Sequence, residues 1–142
     1  MNEYTYDQIC VGMTEEFKVV VTKEKQNLFR EISGDVNPLH EDINFTNKIN
    51  PNYKDILVFG MLTASFYSQL VGVYLPGKYC LFHSIDTKFL KPVYIGDELT
   101  ISGTVSEKRD KFKQIVIKSE IRNQHKDKVS KAIIQTGVFD VK

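Results

Sequence analysis

Around Leu75-Pro76-Gly77-Lys78 the hydrophobic period of this chain switches from that of a helix to that of a strand, and few folds accommodate that switch. Before it, Val58, Phe59, Met61, Leu62, Ala64, Phe66, Leu70, Val71 and Val73 make Val58 to Tyr74 apolar on nearly every side. The polar members, Thr63, Ser65, Ser68 and Gln69, are small or neutral. A helix that is apolar all round is a buried helix. Gly60 and Gly72 near its ends allow close backbone approach. After the turn, Cys80 to Leu90, Glu98 to Val105, Phe112 to Ile121 and Val129 to Val138 each read as a long strand. Short polar links separate them: Lys91-Pro92 with Gly96-Asp97, then Lys108-Arg109-Asp110, then Asn123 to Lys128. Such links between long strands predict antiparallel neighbours. With an earlier strand at Phe17 to Val21, the expectation is an α+β chain, an antiparallel sheet of about five strands wrapped round one long central helix. Thr100, Ser102 and Thr104 alternate with Leu99, Ile101 and Val105, so one sheet face is expected to meet solvent.

The first third is organised differently. Thr22 can cap a helix in which Lys25, Gln26 and Arg30 are polar and Leu28, Phe29 and Ile32 form the apolar side, ended by Ser33-Gly34. Residues 35 to 56 hold Pro38, Pro51 and the asparagines Asn37, Asn44, Asn47, Asn50 and Asn52. That stretch reads as irregular, with one short helical turn; long irregular segments within compact domains usually serve function. At 142 residues, without repeats or low-complexity tracts, the chain is read as a single domain over 1–142. A net charge of +1 provides no global field for nucleic acid or an anionic membrane, and the lysines of the second half read as solvated, some able to meet a phosphate-bearing ligand. Cys10 and Cys80 suit two reduced thiols rather than a disulfide framework or a metal cage. Met1 to Cys10 lacks an apolar signal region, and no apolar run reaches the roughly 18 residues of a membrane span. The expected location is the cytoplasm.

The chemistry-bearing stretch is Phe29-Arg30-Glu31-Ile32-Ser33-Gly34-Asp35-Val36-Asn37-Pro38-Leu39-His40. It places a carboxylate and an imidazole five residues apart across a forced turn, since Gly34 tolerates unusual dihedrals and Pro38 blocks helix propagation. A positioned carboxylate and a neutral imidazole can share the activation of a water and the movement of its proton. The same run also reads as a plain turn, with Asp and Asn side chains bonding nearby amides and His40 an ordinary satisfied histidine.

The whole run resembles the signature of the MaoC-like (R)-specific enoyl-CoA hydratases, a hot-dog family: an aromatic, a gap, then Ser-Gly-Asp-x-Asn-Pro-Leu-His. Gly60-Met61-Leu62-Thr63-Ala64-Ser65, Leu75-Pro76-Gly77-Lys78 and Phe89-Leu90-Lys91-Pro92-Val93-Tyr94-Ile95-Gly96-Asp97-Glu98-Leu99 follow that family in order and spacing. The resemblance implies a single MaoC-like hot-dog domain. It implies Asp35 and His40 as the catalytic pair that adds water to Cβ of a trans-2-enoyl thioester and returns a proton to Cα. It implies Gly60, at the start of the central helix, as the amide donor to the thioester oxygen, and Asn37 as a residue orienting the pair or the water. Gly60 is also simply a packing glycine on the alternative reading. Ser68 and Val71 would line the acyl pocket, Val71 limiting its depth, or else belong to the ordinary core. Where relatives commonly carry His-Gly, this chain has Phe59-Gly60; Phe59 cannot hydrogen-bond and is taken to alter the substrate surroundings.

His83 and His125 lie outside the motif and receive no role. Neither a metal nor another cofactor is called for, since hydration of an enoyl thioester requires none. The implied partner is an acyl-CoA or acyl-carrier-protein thioester, in a homodimer whose two sheets continue side by side. Three readings stand beside a CoA hydratase: a 3-hydroxyacyl-acyl-carrier-protein dehydratase using the same two residues, a non-catalytic acyl-thioester binding domain, and a hot-dog thioesterase.

Overall fold

A computed structural model describes residues 1–141. Its framework is one antiparallel sheet of β1 (Thr14–Val20), β2 (Cys80–Phe89), β3 (Glu98–Arg109), β4 (Gln114–Arg122) and β5 (Lys128–Val138), in the spatial order β1-β3-β4-β5-β2. Three α-helices precede β2 in the chain: α1 (Lys23–Ser33), α2 (Ile43–Ile49) and α3 (Gly60–Gln69). The α+β class and the wrapped-helix arrangement expected from the period switch are both present.

Alternation decides which sheet face is covered. Leu99, Ile101 and Val105 of β3 are buried, as are Ile115, Ile117 and Ile121 of β4 and Ala132 and Ile134 of β5. The register pairs Ile101 with Phe17 and Ile121, and Ile117 with Val105 and Ile134, so these side chains stack in continuous rows across the strands. Each fully buried side chain of this size contributes roughly 1.5–3 kcal/mol. Onto them pack Leu62, Phe66, Tyr67, Leu70 and Val71. The approach is close at Gly103, where an added Cβ would stand 2.8 Å from both Leu70 and Ile117. Tyr67 keeps its hydroxyl satisfied in this core through Ser130 Oγ at 2.9 Å, and burial pushes its pKa up to about 12.

The central helix departs from expectation in two ways. Its α-helical part starts at Gly60 with Phe59 as its N-cap and ends at Gln69, after which Leu70–Tyr74 form a π-helical turn. It is also not covered all round: Met61, Ser65 and Ser68, one turn apart along one side, are exposed in the single chain. Two of those three are serines, so the polar positions of the segment collect on the side that meets solvent.

The N-terminal region follows its local signals more closely. Thr22 Oγ1 accepts from the Lys25 amide at the start of α1, and Gly34, at φ 71°, ends it in the left-handed conformation that glycine adopts without a Cβ clash. Of the expected apolar side of α1, only Phe29 packs against the core. Leu28 and Ile32 are exposed, and the one fully buried residue of the helix is Gln26. Residues 35 to 56 hold more order than expected: Asn37 caps a 3₁₀ turn, Pro38–His40, and Asp42 caps α2 by accepting from Asn44 and Phe45 amides.

Candidate functional site

His40 sits at the end of the 3₁₀ turn that Asn37 starts, and its ring is held by two contacts. Nδ1 lies 2.8 Å from the Leu57 carbonyl oxygen. A carbonyl can only accept, so Nδ1 carries the hydrogen, and in the neutral ring Nε2 keeps its lone pair. The ring packs on Phe59 at 4.1 Å between centroids and 31° between planes, and Phe59 in turn packs on Phe29 at 5.1 Å. Phe59 is thus a buried platform behind His40. It takes no place among the residues lining the groove described below.

Gln26 joins these pieces. Its Nε2 donates to the carbonyls of His40 (3.3 Å) and Leu57 (3.1 Å), and its Oε1 accepts from the Phe59 amide at 3.2 Å. Arg30, one helical turn along α1, adds a second donor to the His40 carbonyl at 3.3 Å. An amide side chain carries two N–H donors and a carbonyl acceptor at one end, which matches the two carbonyls and one amide that meet here, so a polar residue occupies a position that periodicity assigns to solvent. Gln26→Leu is expected to strip the buried Phe59 amide of its partner and cost about 2–3 kcal/mol. Chemical denaturation would show the loss.

The groove at this site has a volume of about 350 Å³ and is bordered by His40, Leu57, Val58, Gly60 and Thr63 on one side and by Phe89, Leu90, Lys91, Pro92, Val93 and Val129 on the other, with Tyr53 at its rim. Gly60 opens α3, and the first helical hydrogen bond there runs from Thr63 N–H to the Phe59 carbonyl, so the amide of Gly60 precedes the bonded part of the helix. A Cβ at Gly60 would meet the Phe89 ring at 3.4 Å, which keeps the groove narrow at the helix start. A larger depression of about 560 Å³ lies on the outer sheet face among Lys88, Lys118, Glu120 and Lys131. Those residues alternate with buried Ile117, Ile121 and Ala132, so it is the solvated face, remote from His40 and Gly60 in the lining of either site.

The structure therefore brings His40 and Gly60 to one groove. Asp35 stands on the exposed turn leading to His40, with Oδ1 accepting from the Asn37 amide at 3.0 Å. Asn37 Oδ1 is engaged by the Leu39 amide at 2.9 Å. Ser68 lies on the exposed strip of α3 and Val71 in the core against the sheet; neither borders the groove. Two residues escaped the sequence reading. Gln26 leaves one faint signal, its i, i+4 spacing with Arg30 on the side of α1 that meets the His40 loop. Thr63 leaves another, as a hydroxyl in the first turn of the helix, between Leu62 and Ala64. Among the described residues no group of three His, Cys, Asp or Glu is arranged to hold a metal ion, and no helix is long and apolar enough to cross a membrane.

The sequence matches the MaoC-like domain over residues 10–129. The chain belongs to the MaoC-like domain family. Within it, the (R)-specific enoyl-CoA hydratase of Aeromonas caviae is 38% identical over 82 residues, which make up 58% of this chain and 60% of that enzyme. The (R)-specific enoyl-CoA hydratase of Rhodospirillum rubrum is 31% identical over 114 residues, 73% of this chain and 74% of its own length. The solved (R)-hydratase of A. caviae superposes with a TM-score of 0.85 at 27% identity, covering 92% of this chain and 98% of the other. The MaoC-like chain described here accordingly has the hot-dog fold of those hydratases.

Proposed function

We infer that this chain is a hydro-lyase that adds water across the Cα=Cβ bond of a trans-2-enoyl thioester, giving an (R)-3-hydroxyacyl thioester, and runs the reverse dehydration. The observation that carries this reading is the pairing, in one groove, of a histidine fixed as the Nδ1–H tautomer with the unbonded amide at the start of α3. Together they provide a proton acceptor and an oxyanion donor.

In the proposed reaction, Asp35 and His40 Nε2 hold the attacking water and take its proton as oxygen bonds to Cβ. The π electrons of the double bond move toward the thioester carbonyl, whose oxygen gains negative charge. The Gly60 amide, at the positive end of the helix, stabilises that charge. One member of the pair then returns that proton to Cα as the enolate collapses, which completes the addition. Phe59 acts through His40 by fixing its ring plane. Val71, packed against the sheet, sets acyl depth only from behind the groove wall, and Asn37 orients His40 by capping the turn that carries it.

We further place the active form as a homodimer joined along β2. That strand ends the sheet, so one edge of its backbone is unpaired, and Leu81, Phe82, Ile85 and Phe89 along it are partly exposed. A long apolar edge of this kind is normally paired or covered. Phe89 and Leu90 also border the groove, so a second copy seated on β2 closes its rim.

Loss of the enoyl-thioester absorbance on mixing purified protein with crotonyl-CoA tests the reaction. Turnover that vanishes in His40→Ala is the expected result. A folded wild type inert toward crotonyl-CoA and toward a crotonyl thioester on acyl carrier protein would refute it.

A further inference from the structure

Thr63 is 2% exposed, yet its Oγ1 has no hydrogen-bond partner among the described residues. This is unusual for its setting. A hydroxyl inside a helix ordinarily turns back to a carbonyl of the preceding turn. Elsewhere in this chain Thr46 does so to Asp42 at 3.0 Å and Ser65 to Leu62 at 2.6 Å. The amide of Thr63 is committed to Phe59 at 3.1 Å, but its hydroxyl remains unused. Leaving such a group unpaired costs stability, so a free hydroxyl at the wall of a groove points to a partner that arrives with the ligand.

Its position says which atom of the ligand. Thr63 borders the same groove as His40 and Gly60 and lies three residues beyond Gly60. Side chains on a helix lean toward its N-terminus, and residues three apart share a face, so the hydroxyl leans over the turn that carries the Gly60 amide.

Taking the groove as the hydratase site, we propose that the Thr63 hydroxyl is a second hydrogen-bond donor to the thioester oxygen, beside the Gly60 amide. As the Cβ–O bond forms and the electron pair moves to that oxygen, the Thr63 O–H bond shortens its contact without giving up its proton. When Cα is protonated and the carbonyl reforms, the contact relaxes. Thr63 is thereby a catalytic residue that donates a hydrogen bond and nothing else.

The test is Thr63→Val, which keeps the shape and removes the hydroxyl, with Thr63→Ser as its rescue. The melting temperature of Thr63→Val should equal or exceed that of wild type, because an unpaired hydroxyl is gone. Its kcat on crotonyl-CoA should fall about 100-fold or more while KM changes little, as removal of one oxyanion donor does. Thr63→Ser should recover most of that loss. A readout without turnover uses Asp35→Asn with bound 2,4-hexadienoyl-CoA, whose absorbance moves to longer wavelength as its carbonyl is polarised. Adding Thr63→Val should diminish that shift. Unchanged kcat in an active enzyme, or an unchanged dienoyl band, would overturn the proposal while leaving the hydratase reading intact. A wild type that neither turns over crotonyl-CoA nor shifts the dienoyl band would instead remove the reading on which it rests.

Discussion

Asp35→Asn is expected to lower turnover by about 10³-fold or more with the fold intact. The carboxylate is exposed, and its one hydrogen bond among the described residues is the acceptance of the Asn37 amide by Oδ1 at 3.0 Å. An asparagine carbonyl accepts the same hydrogen bond, so the turn that leads to Pro38 and His40 should survive. What disappears is the ability to take a proton from water. His40→Ala is a less clean companion. It removes the ring that packs on Phe59 at 4.1 Å as well as the base, and leaves the Leu57 carbonyl to Gln26 alone. The two variants should therefore share the loss of turnover on crotonyl-CoA but separate in thermal melting, with Asp35→Asn near wild type and His40→Ala below it. Retention by Asp35→Asn of a rate within tenfold of wild type would exclude the carboxylate from the reaction.

Features set by local chemistry were legible in the sequence. Thr22 and Gly34 mark the two ends of α1, and alternation locates the buried row of β3. Strand ends were harder. Lys108 and Arg109 look like a link, yet they extend β3 beyond the bulge between Val105 and Glu107, with Arg109 bonded to Gln114 on the next strand at 2.9 Å. Phe112 looks like the start of a strand but lies exposed in a 3₁₀ turn. In both places cross-strand pairing, which has no footprint in a single stretch of sequence, outweighs local character.

The orientation of α1 shows the same limit more sharply. Leu28 and Ile32 announce an apolar face, but the side that meets the core is the one with Gln26. Three backbone groups, from His40, Leu57 and Phe59, converge there from segments far apart in sequence and need one residue that both donates and accepts. Demand of that kind arises only once the chain is folded. The motif from Phe29 to His40 was legible because it is contiguous in sequence, and the family membership it suggested is borne out. The support beneath it was not, because supports are chosen by whatever backbone happens to be left unpaired.

Exposed apolar residues carry the remaining prediction: Ile85→Lys should yield a folded monomer with severely reduced turnover. The two edges of the sheet are built differently. On β1, Glu16 and Lys18 point to solvent and Lys18 pairs with Glu98 at 3.7 Å, an arrangement that discourages a further strand. On β2 the edge instead carries Leu81, Phe82 and Ile85, each more than a third exposed. If a second copy pairs with β2, a lysine at position 85 places a charge against apolar side chains at the centre of the strand. Losing the burial of Ile85 and desolvating an ammonium should weaken association by about 3–4 kcal/mol, or several hundredfold in Kd. Within one chain Ile85 faces Ile134 at the sheet margin and is 38% exposed, so the lysine can reach water and the monomer should fold. Turnover falls because Phe89 and Leu90, which border the groove, lose the neighbour that would cover them. Lys18→Ala on the opposite edge should leave both mass and rate unchanged. Sedimentation at micromolar concentration decides the matter. A dimer in wild type and Lys18→Ala with a monomer in Ile85→Lys fits β2 pairing, whereas a dimer that persists in Ile85→Lys places the interface elsewhere.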